Sequence, residues 1–456
     1  MTIYQHSSLM PGATAAELFA YHAAPGALDR LLPPNSGVSI RRRAPLADGS
    51  EVELAVPLGP FKRRWIARHS EVVAPDGFVD EQVSGPFTAW HHRHRFMPTE
   101  GGATLLDEVT YTPPGGKLAG LVNGFVASQL QRTFHWRHER TRRDLERQRA
   151  VATQPRLTVG VSGATGLVAG ELIPFLTTAG HVVKAFSRAN SAQKPASSVI
   201  AWDPARGQID DAALSGCDAV VHLAGASVAQ RWTASSMADI RDSRRSGTRL
   251  VAEAVARQAG RVKTLIIASG VNGYPSSDLE QDEDSPITGS GFLAEVVREW
   301  EAAAEPARAA GVRVVHLRIG MVLSPKGGGL AQLLTPATWG LGGPVGGGEQ
   351  WLSWIDLDDL VGLIHHALHD PQMEGPVNAV SPQPVRQGHF AEVLGEVLSR
   401  PAFAPFPRCA VRLLLGQMGE ELLLSSIRVV PRRALMRRFA FCSPDLATAL
   451  RFQLAR

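Results

Sequence analysis

Residues 158–188, TVGVSGATGLVAGELIPFLTTAGHVVKAFSR, set the architecture of the larger part of the chain. They place Gly160, Gly163 and Gly166 at regular spacing between an apolar strand-like run and a segment of helical length. In a strand–turn–helix loop, the first glycine permits the tight turn, the second lets the backbone approach a pyrophosphate, and the third lets the helix pack against the sheet. The helix that follows offers free N–H groups to phosphate. The segment therefore predicts a dinucleotide-binding loop.

The second strand of this segment ends at Ser187 and Arg188. A site for NAD usually places Asp or Glu here, where the carboxylate accepts a hydrogen bond from the ribose 2′-hydroxyl. The chain has no carboxylate at that place, and the guanidinium of Arg188 is suited to pair with a 2′-phosphate. We therefore predict NADP as the cofactor in preference to NAD. The alternative is that Arg188 only points into solvent.

Strand-like runs alternate with helix-length segments from residue 157 onward. The runs are LTVGV (157–161), HVVKAFS (181–187), SVIAW (198–202), DAVVHLA (218–224), KTLIIAS (263–269) and RVVHLRI (313–319). Such alternation is typical of a parallel sheet with helices on both faces. The fold class expected here is α/β, a doubly wound Rossmann sheet.

Residues 1–150 have a different pattern. Short alternating runs bounded by Gly and Pro predict antiparallel strands, as in SEVELAVPLG (50–59) and ATLLDEVTYTPP (103–114). Helical segments are expected near 14–31 and 118–148, and RAVATQPR (149–156) resembles a linker. We therefore expect an α+β domain ahead of the Rossmann sheet.

The bulk composition is that of an ordinary globular protein. The length of 456 residues predicts two to three domains. The sequence lacks both a run of about 18 apolar residues and the basic and apolar pattern of a secretory signal, so we expect no membrane span. The three cysteines have neither metal nor disulfide spacing, which favours a reducing compartment and a cytoplasmic protein; they are Cys217, Cys409 and Cys442.

The net charge of +4 raises the question of a nucleic-acid partner. Arginines gather only at residues 132–149, which have the pattern of a helix with an apolar side and an arginine side. The apolar side is formed by Phe134, His138, Thr141 and Leu145. We interpret the arginines as a solvated helix face and expect no nucleic-acid partner. The alternative is that they bind an acidic partner or nucleic acid.

The chain resembles the extended short-chain dehydrogenase/reductases. The glycine loop, DAVVHLAG (218–225) and Ser269 at the end of the fifth strand carry this likeness. It narrows to one atypical branch, usually labelled nucleoside-diphosphate sugar epimerase, through AGASVAQRW (224–232), SGVNGYP (269–275), GFLAEVVREWE (291–301), RIGMVLSPKGGGL (318–330) and GLGGPVGGGEQWLSWIDLDDL (340–360). The resemblance implies that Ser269 faces the nicotinamide. It implies a cofactor site lined by Gly160, Gly163, Ala164, Thr165, Gly166, Leu167, Ser187, Arg188, Leu223, Ala224 and Gly225.

The resemblance also implies the domain organisation. The Rossmann domain would span 156–404, and 405–456 would form the small C-terminal helical domain of this branch. Residues 1–150 resemble a START-like helix-grip domain, through PGALDRLLPP (25–34), GPFKRRWIARH (59–69), FVDEQVSGPF (78–87) and WHHRHRF (90–96). That likeness implies a curved antiparallel sheet around a long helix, enclosing a cavity for an apolar ligand.

The usual catalytic pair of this family is missing. A working member has Tyr-x-x-x-Lys, in which the lysine lowers the pKa of the tyrosine that transfers the proton. The residues four places after Tyr4, Tyr21, Tyr111 and Tyr274 are Ser8, Pro25, Gly115 and Asp278. We predict that Ser269, Tyr274 and Glu295 form a substitute catalytic set. The alternatives are that Tyr274 caps its loop and that Glu295 lies on a solvated helix face.

The segment 340–360 corresponds to the place where sugar epimerases have a Gln-x-Arg sequence that grips the nucleotide phosphates. Leu352 stands at the arginine position, which weakens the prediction of a nucleotide-sugar substrate. Trp351 and Trp354 could line an apolar pocket instead, or they could be packed in the core. Asp356 and Asp359 are expected to cap and start the next helix.

His91, His92 and His94 suggest a metal site only at first sight. On a strand, His92 and His94 share a face and His91 does not. The sequence shows no nearby Cys, Asp or Glu partner for them, so we expect no metal site.

Two functions follow from this evidence. The first is an NADP-dependent oxidoreductase or sugar-nucleotide epimerase that acts on a small-molecule substrate, with the START-like domain delivering an apolar molecule. The alternative is a non-enzymatic module that senses NADP and a lipid-like ligand, which the lost Tyr-x-x-x-Lys pair favours. A homodimer is also expected.

Overall fold

The structure is a computed structural model that describes residues 1–113, 119–188 and 198–456. Its chain forms two compact units. The first contains residues 1–153 with 177–180 and 454–456, and the second contains residues 154–176 and 181–453.

The first unit is built on a seven-stranded antiparallel sheet. Its strands are β1 (Thr2–Pro11), β2 (Ser39–Arg42), β3 (Glu51–Leu58), β4 (Phe61–Val73), β5 (Gly77–Ser84), β6 (Ala89–Thr99) and β7 (Gly102–Thr112). They lie in the order β1-β7-β6-β5-β4-β3-β2. Three helices accompany them: α1 (Ala15–Ala23), α2 (Ala27–Arg30) and α3 (Ala119–Arg149). The expected helix-grip architecture, an antiparallel sheet with a long C-terminal helix, is confirmed.

One face of this sheet forms the interior of the unit. Every second residue of β7, from Ala103 to Tyr111, is buried, which is the period that a half-buried strand requires. Leu105 and Phe96 pack with Leu18 and Tyr21 of α1 in one apolar cluster. Helix α1 begins with a capping box, in which Thr14 and Glu17 satisfy each other's backbone N–H groups.

Helix α3 corrects one expectation. Its predicted apolar side is buried, but the arginines do not all face solvent, because Arg140 and Arg143 are each only 3% exposed. The guanidinium of Arg140 lies 4.8 Å from the ring centre of Trp136, and Arg143 pairs with Glu139 at 2.7 Å. Stacking and pairing of this kind allow a long arginine side chain to be buried.

The second unit is built on an eight-stranded sheet. Its strands are β8 (Thr158–Ser162), β9 (Val182–Ser187), β10 (Val199–Asp203), β11 (Gln208–Ile209), β12 (Ala219–His222), β13 (Thr264–Gly270), β15 (Arg313–Ile319) and β19 (Gly375–Ala379). The order is β11-β10-β9-β8-β12-β13-β15-β19, and all neighbours are parallel except β10 and β11. The predicted Rossmann fold is confirmed. The order reverses beside β8, which is where such sheets bind their ligands.

Helices cover both faces of this sheet. The described helices between residues 154 and 398 are α4 (Leu167–Thr178), α5 (Asp211–Leu214), α6 (Ala234–Arg257), α7 (Phe292–Ala302), α8 (Glu305–Ala309), α9 (Gly328–Thr338), α10 (Leu357–His369) and α11 (Gln387–Leu398). Two apolar clusters fill the space between sheet and helices, one with Phe175 and Leu360 and the other with Val251 and Trp300. Short strands β14 (Ser277–Gln281), β16 (Met321–Leu323), β17 (Trp351–Leu352), β18 (Trp354–Asp356) and β20 (Val385–Arg386) lie in the connections.

The C-terminal segment is mainly helical. It contains α12 (Arg408–Gly419), a wider helical turn (Glu420–Leu424), α13 (Arg432–Met436) and α14 (Leu446–Leu454). Its one strand in the described structure, β21 (Ile427–Val429), pairs in parallel with β14 and thereby attaches the segment to the connection that follows β13. Among the described helices, none is both long enough and apolar enough to cross a membrane.

Candidate functional site

The glycine loop has the geometry that phosphate binding requires. Strand β8 ends at Ser162, and Gly163 adopts a φ of +69°, which favours glycine. A Cβ atom on Gly163 would lie 2.9 Å from the backbone nitrogen of Ala224. A side chain is therefore excluded at Gly163 by both conformation and space. Helix α4 begins directly after the loop at Leu167, so its first N–H groups are directed at this place.

Ser162 and His222 hold the loop in position and were not predicted. The hydroxyl oxygen of Ser162 accepts hydrogen bonds from the N–H groups of Leu223 at 3.0 Å and Ala224 at 3.2 Å. It lies 2.7 Å from Nδ1 of His222. Burial lowers the pKa of His222 to about 4, so its ring is neutral and Nδ1 can accept a hydrogen bond from the hydroxyl of Ser162. The two strand ends that flank the glycine loop are thereby tied together.

The predicted cofactor-selecting residues lie where the sequence placed them in the fold. Ser187 is the last residue of β9, and Arg188 follows it as an exposed side chain. The next described residue is Ser198. The position of Arg188 at the carboxyl end of the second strand is compatible with a 2′-phosphate contact, which stays a prediction.

A cleft of about 1610 Å³ connects the glycine loop with the rest of the site. Gly163, Gly166 and Leu167 line it, as do Leu223, Gly225 and Ser269. The same cleft is bordered by Leu352 and by residues of the C-terminal segment, among them Leu415 and Glu421. Most of its wall is apolar. The predicted phosphate loop and the predicted reacting serine therefore share one cavity.

Ser269 belongs to a network that the sequence analysis missed. Its hydroxyl donates to Oε1 of Glu301 at 2.8 Å. Arg318 pairs with the same carboxylate through Nε and Nη2, each at 2.8 Å. Burial would raise the pKa of Glu301, but the hydrogen bonds and the charge of Arg318 outweigh it and hold this pKa below its usual value. Glu301 is therefore an ionised acceptor, and the lone pairs of Ser269 are left for the cleft.

Tyr274 does not reach the cleft. Its ring is 1% exposed, and its hydroxyl donates to Oδ1 of Asn378 at 2.8 Å and accepts from Nη1 of Arg318 at 2.9 Å. Burial raises its pKa. The expectation that Tyr274 enters the pocket is corrected by these contacts. It instead supports Arg318 from the side opposite Glu301.

Glu295 lies apart from Ser269 as well. It is on the exposed side of α7, where its carboxylate pairs with Arg241 at 2.8 Å and its side chain is 56% exposed. It borders a separate, smaller depression with Arg241 and Phe292. The structure therefore favours the alternative reading, a solvated helix face. Glu301, six residues further along, is the carboxylate that α7 brings to Ser269.

The side of α7 that faces the cleft is apolar. Its lining residues are Leu293, Val296, Val297 and Trp300. The N-terminus of this helix is capped from the C-terminal segment, because Glu421 accepts hydrogen bonds from the N–H groups of Phe292 at 3.0 Å and Leu293 at 2.8 Å. In the described residues of α7, no acidic or basic side chain lines the cleft. Glu301 is connected to the cleft only by its hydrogen bond with Ser269.

Arg244 also lines the cleft, and the sequence did not predict it. Its guanidinium lies 4.8 Å from the ring centre of Trp300 and donates to the carbonyl oxygen of Ala226 at 2.9 Å. A Cβ atom on Gly225 would be 3.3 Å from it. Burial lowers its pKa to about 10, so it still carries a positive charge at neutral pH. It brings a cation next to the predicted cofactor-lining residue Gly225.

The segment 340–360 divides its residues between cleft and core. Trp351 and Leu352 line the cleft, whereas Trp354 is fully buried and donates from its indole nitrogen to the carbonyl of Gln383. Asp356 caps α10 by accepting from the N–H group of Asp358, as predicted. Asp359 is in the first turn of α10, but its carboxylate binds the N–H groups of Cys442 and Ser443.

The histidines of β6 have carboxylate partners after all. His92 and His94 are buried, and each lies 2.7 Å from Oδ1 of Asp107 on β7. Asp80 of β5 lies 3.3 Å from the other ring nitrogen of His94. The expectation that these histidines have no carboxylate neighbour is thus wrong. Pairing between strands brings Asp80 and Asp107 next to them, although they lie more than ten residues away in the sequence.

Three families match successive parts of the chain. Residues 11–139 match the polyketide cyclase / dehydrase and lipid transport family. Residues 159–380 match the NAD dependent epimerase/dehydratase family. Residues 406–453 match a domain of unknown function, DUF1731.

Individual relatives agree with these matches. The human epimerase family protein SDR39U1 is 35% identical over 300 residues, which is 65% of this chain and 99% of that protein. The epimerase family protein Mb2239 of Mycobacterium bovis is 37% identical over 65% of this chain and 98% of its own length.

Two solved structures extend the comparison. The nucleoside-diphosphate sugar epimerase from Corynebacterium glutamicum has 31% identity and a TM-score of 0.81, covering 99% of this chain and 90% of its own. Human SDR39U1 with NADPH has 34% identity and a TM-score of 0.59, covering 65% of this chain and 99% of its own. The resemblances drawn from the sequence motifs are confirmed.

Proposed function

We propose, from the premise that this chain belongs to the NAD dependent epimerase/dehydratase family, that it is an NADP(H)-dependent oxidoreductase or epimerase acting in the cleft beside Ser269. The observation that carries this proposal is that the glycine loop and Ser269 line one cavity. The cofactor is NADP(H), which agrees with the NADPH complex of the human relative and with Arg188 at the end of β9.

Different residues of the second unit would bind different parts of NADP(H). The glycine loop and the N-terminus of α4 would hold the pyrophosphate, with Gly163 leaving room for it. Arg188 would pair with the 2′-phosphate. Arg244, a cation beside Gly225 without a carboxylate among its described contacts, would face the negative charge of the bound nucleotide.

Proton transfer would run through Ser269 and Glu301. In the direction of oxidation, the bound cofactor would supply the acceptor for the hydride that the substrate carbon loses. The substrate hydroxyl gives its proton to Oγ of Ser269, while Ser269 gives its own proton to Oε1 of Glu301, 2.8 Å away. Arg318 keeps Glu301 ionised before the step and so makes it a weak base. Slow turnover is the expected result.

The substrate would be less polar than a nucleotide sugar. Leu352 borders the cleft where a phosphate-gripping arginine is expected, and α7 contributes Leu293, Val296 and Val297 to the wall. An apolar wall favours ligands that bury apolar surface.

The alternative proposal is a non-enzymatic NADP(H)-binding sensor. It is favoured because the side of α7 that lines the cleft is apolar and because Tyr274 is buried in the core, so neither supplies a catalytic group to the cleft. A lipid-like ligand of residues 1–150 and the homodimer stay predictions.

One experiment separates the two proposals. The purified chain is loaded with NADPH deuterated at the transferred position and incubated with small apolar carbonyl compounds, and products are examined by mass spectrometry. Enzymatic activity predicts deuterium in a product that forms with wild type and not with Ser269→Ala. Binding of NADPH without deuterium transfer to any compound supports the sensor.

A further inference from the structure

Among the residues that the structure describes, two groups of side chains have the spacing of metal ligands, and their hydrogen bonds decide between them. The first is Asp80, His92 and His94 in the first unit, and the second is His181, His365 and His369 in the second unit. In each group, one ligand atom per residue lies within 4.8 Å of the others.

The second group is explained without an ion. The N–H group of Leu157 donates to Nδ1 of His181 at 3.0 Å, so the proton of the neutral ring is on Nε2 and that nitrogen cannot bind a metal. Nε2 of His181 instead points to Nε2 of His369 at 3.4 Å, while Nδ1 of His369 pairs with Gln154. His181 and His369 have no carboxylate among their described hydrogen bonds. These histidines form a neutral hydrogen-bonded cluster, in which burial lowers the pKa of His181 and His369 to about 4.

The first group is assembled by strand register. Asp80 is directly opposite His92 across β5 and β6, and His94 is directly opposite Asp107 across β6 and β7. Because residues that face each other across antiparallel strands share one side of the sheet, all four side chains lie on its buried side. His91 points to the other side.

Asp107 supports both histidines from behind. Its Oδ1 lies 2.7 Å from Nε2 of His92 and 2.7 Å from Nδ1 of His94. The contact of His92 is a hydrogen bond of the kind by which a metal-binding histidine usually donates its second ring N–H to a carboxylate, which fixes the ring and its tautomer. Nδ1 of His92 is therefore left for an ion, and His94 faces Asp80 with its Nε2.

The separation between the remaining ligands also fits an ion. Nε2 of His94 and Oδ2 of Asp80 are 3.3 Å apart. That is long for a charge-assisted hydrogen bond, for which about 2.7–2.9 Å is usual. It agrees with the edge of about 3.4 Å between two ligands of a tetrahedral ion bound at about 2.1 Å.

The local charge favours a divalent cation. Asp80 and Asp107 bring two negative charges into a region where Asp107, His92 and His94 are nearly inaccessible to water. The charge of one divalent ion would balance these two carboxylates.

We propose that Asp80, His92 and His94 form a binding site for a divalent transition-metal ion, supported by Asp107. Two imidazole nitrogens and one carboxylate suit zinc, iron(II) or cobalt(II) and do not suit magnesium or calcium, which prefer oxygen ligands. Asp80, whose side chain is 21% exposed, is the route by which the ion enters.

The test uses the full-length untagged chain, treated with a chelator and titrated with cobalt(II), whose visible absorption reports nitrogen coordination. We expect one equivalent to bind and to be displaced by zinc. Asp80→Asn should weaken binding by at least about 100-fold, and Asp107→Asn by about 10–100-fold. His91→Gln, on the opposite side of β6, is the matched control and should bind as wild type does.

Circular dichroism of each variant shows whether it is folded. If folded wild-type protein binds no cobalt(II) or zinc, the proposal is overturned without reference to any variant. It is also overturned if folded Asp80→Asn binds with wild-type affinity. Loss of binding in His91→Gln as well would place the ion elsewhere.

Discussion

The hydroxyl of Ser269 is hydrogen-bonded to the carboxylate of Glu301 at 2.8 Å, and this carboxylate is held on its other side by Arg318. Strand β13, helix α7 and strand β15 each contribute one of the three residues. A serine that donates to a carboxylate cannot at the same time donate to a substrate carbonyl, so it is prepared to accept a substrate proton. This relationship carries the proton-transfer part of the proposed function.

Glu301→Gln removes the acceptor and keeps the size of the side chain. We expect turnover to fall by about 10²–10⁴-fold, the usual contribution of general acid–base catalysis, and Ser269→Ala to fall by a similar factor. The affinity for NADPH should stay near that of wild type, because neither residue is expected to touch phosphate. Glu299→Gln, on the same helix and 35% exposed, is the control. Full turnover in Glu301→Gln would contradict the relay.

The same relay predicts an unusual pH profile. The pKa of Glu301 lies below its usual value, so the carboxylate is ionised at neutral and alkaline pH. The rate of substrate oxidation should therefore be flat from about pH 6 to pH 9 and fall only in acid, as Glu301 becomes protonated. An enzyme with a catalytic tyrosine would instead gain activity with rising pH. Initial rates measured across this range, with cofactor saturating, distinguish the two.

Arg188→Ala should reduce the preference for NADPH over NADH. Loss of one charge-assisted contact to the 2′-phosphate costs about 1.5–3 kcal/mol, and the affinity for NADH should not change. Titration of both cofactors into wild type, Arg188→Ala and Arg206→Ala measures this. Arg206 is a comparably exposed arginine at the β10–β11 turn and serves as control. An equal preference in wild type and Arg188→Ala would exclude the assigned role.

Gly163→Ala should abolish cofactor binding. The added Cβ would meet the backbone of Ala224 at 2.9 Å in a conformation that only glycine adopts easily. Gly170→Ala, three residues into helix α4 from Leu167, has nothing within 4 Å of its Cβ and should stabilise the protein by up to about 1 kcal/mol. Isothermal titration with NADPH and thermal melts compare the two. A Gly163→Ala protein that binds normally would show that the phosphates lie elsewhere.

The first unit depends on a buried ion pair. Arg30 and Asp144 are fully buried and joined by two hydrogen bonds of 2.8 and 2.5 Å, and Tyr21 donates to the same carboxylate at 2.8 Å. Asp144→Asn leaves a buried guanidinium without its counter-charge, and we expect a loss of about 3–5 kcal/mol in the free energy of unfolding. Arg64→Ala, which breaks an exposed pair with Glu53, should cost less than about 1 kcal/mol. Urea unfolding of the three proteins is the measurement.

Residues 1–150 are expected to fold by themselves and to bind an apolar molecule. Expression of this fragment, followed by melting with and without a hydrophobic fluorescent probe, addresses both points. A fragment that stays unfolded would contradict the proposed boundary, and a folded fragment that binds no probe would contradict the apolar cavity.

The parts of the site that lie close together in the sequence were the ones that could be predicted. Gly160, Gly163 and Gly166 act within one turn, so their spacing already states the backbone geometry. Tyr274 was predicted because it follows Ser269 by five residues, and Glu295 because it lies on the helix where the family has its catalytic pair. The structure turns both away from the cleft. Glu301 escaped notice because an acidic residue on a helix is usually solvated, and nothing in the sequence shows that Arg318 lies across from it.

The sequence by itself determined the fold class. Three local features were enough for this and can be recognised without knowing any tertiary contact: the alternation of apolar strands and helices, the glycine loop and the family motifs. Only the tertiary structure decided which polar groups meet. The pairing of Ser269 with Glu301, separated by 32 residues, and of His94 with Asp107 across β6 and β7 depends on strand register and helix packing. A hydrogen bond acts over about 3 Å, and the sequence positions of two residues do not state whether the folded chain brings them within that distance.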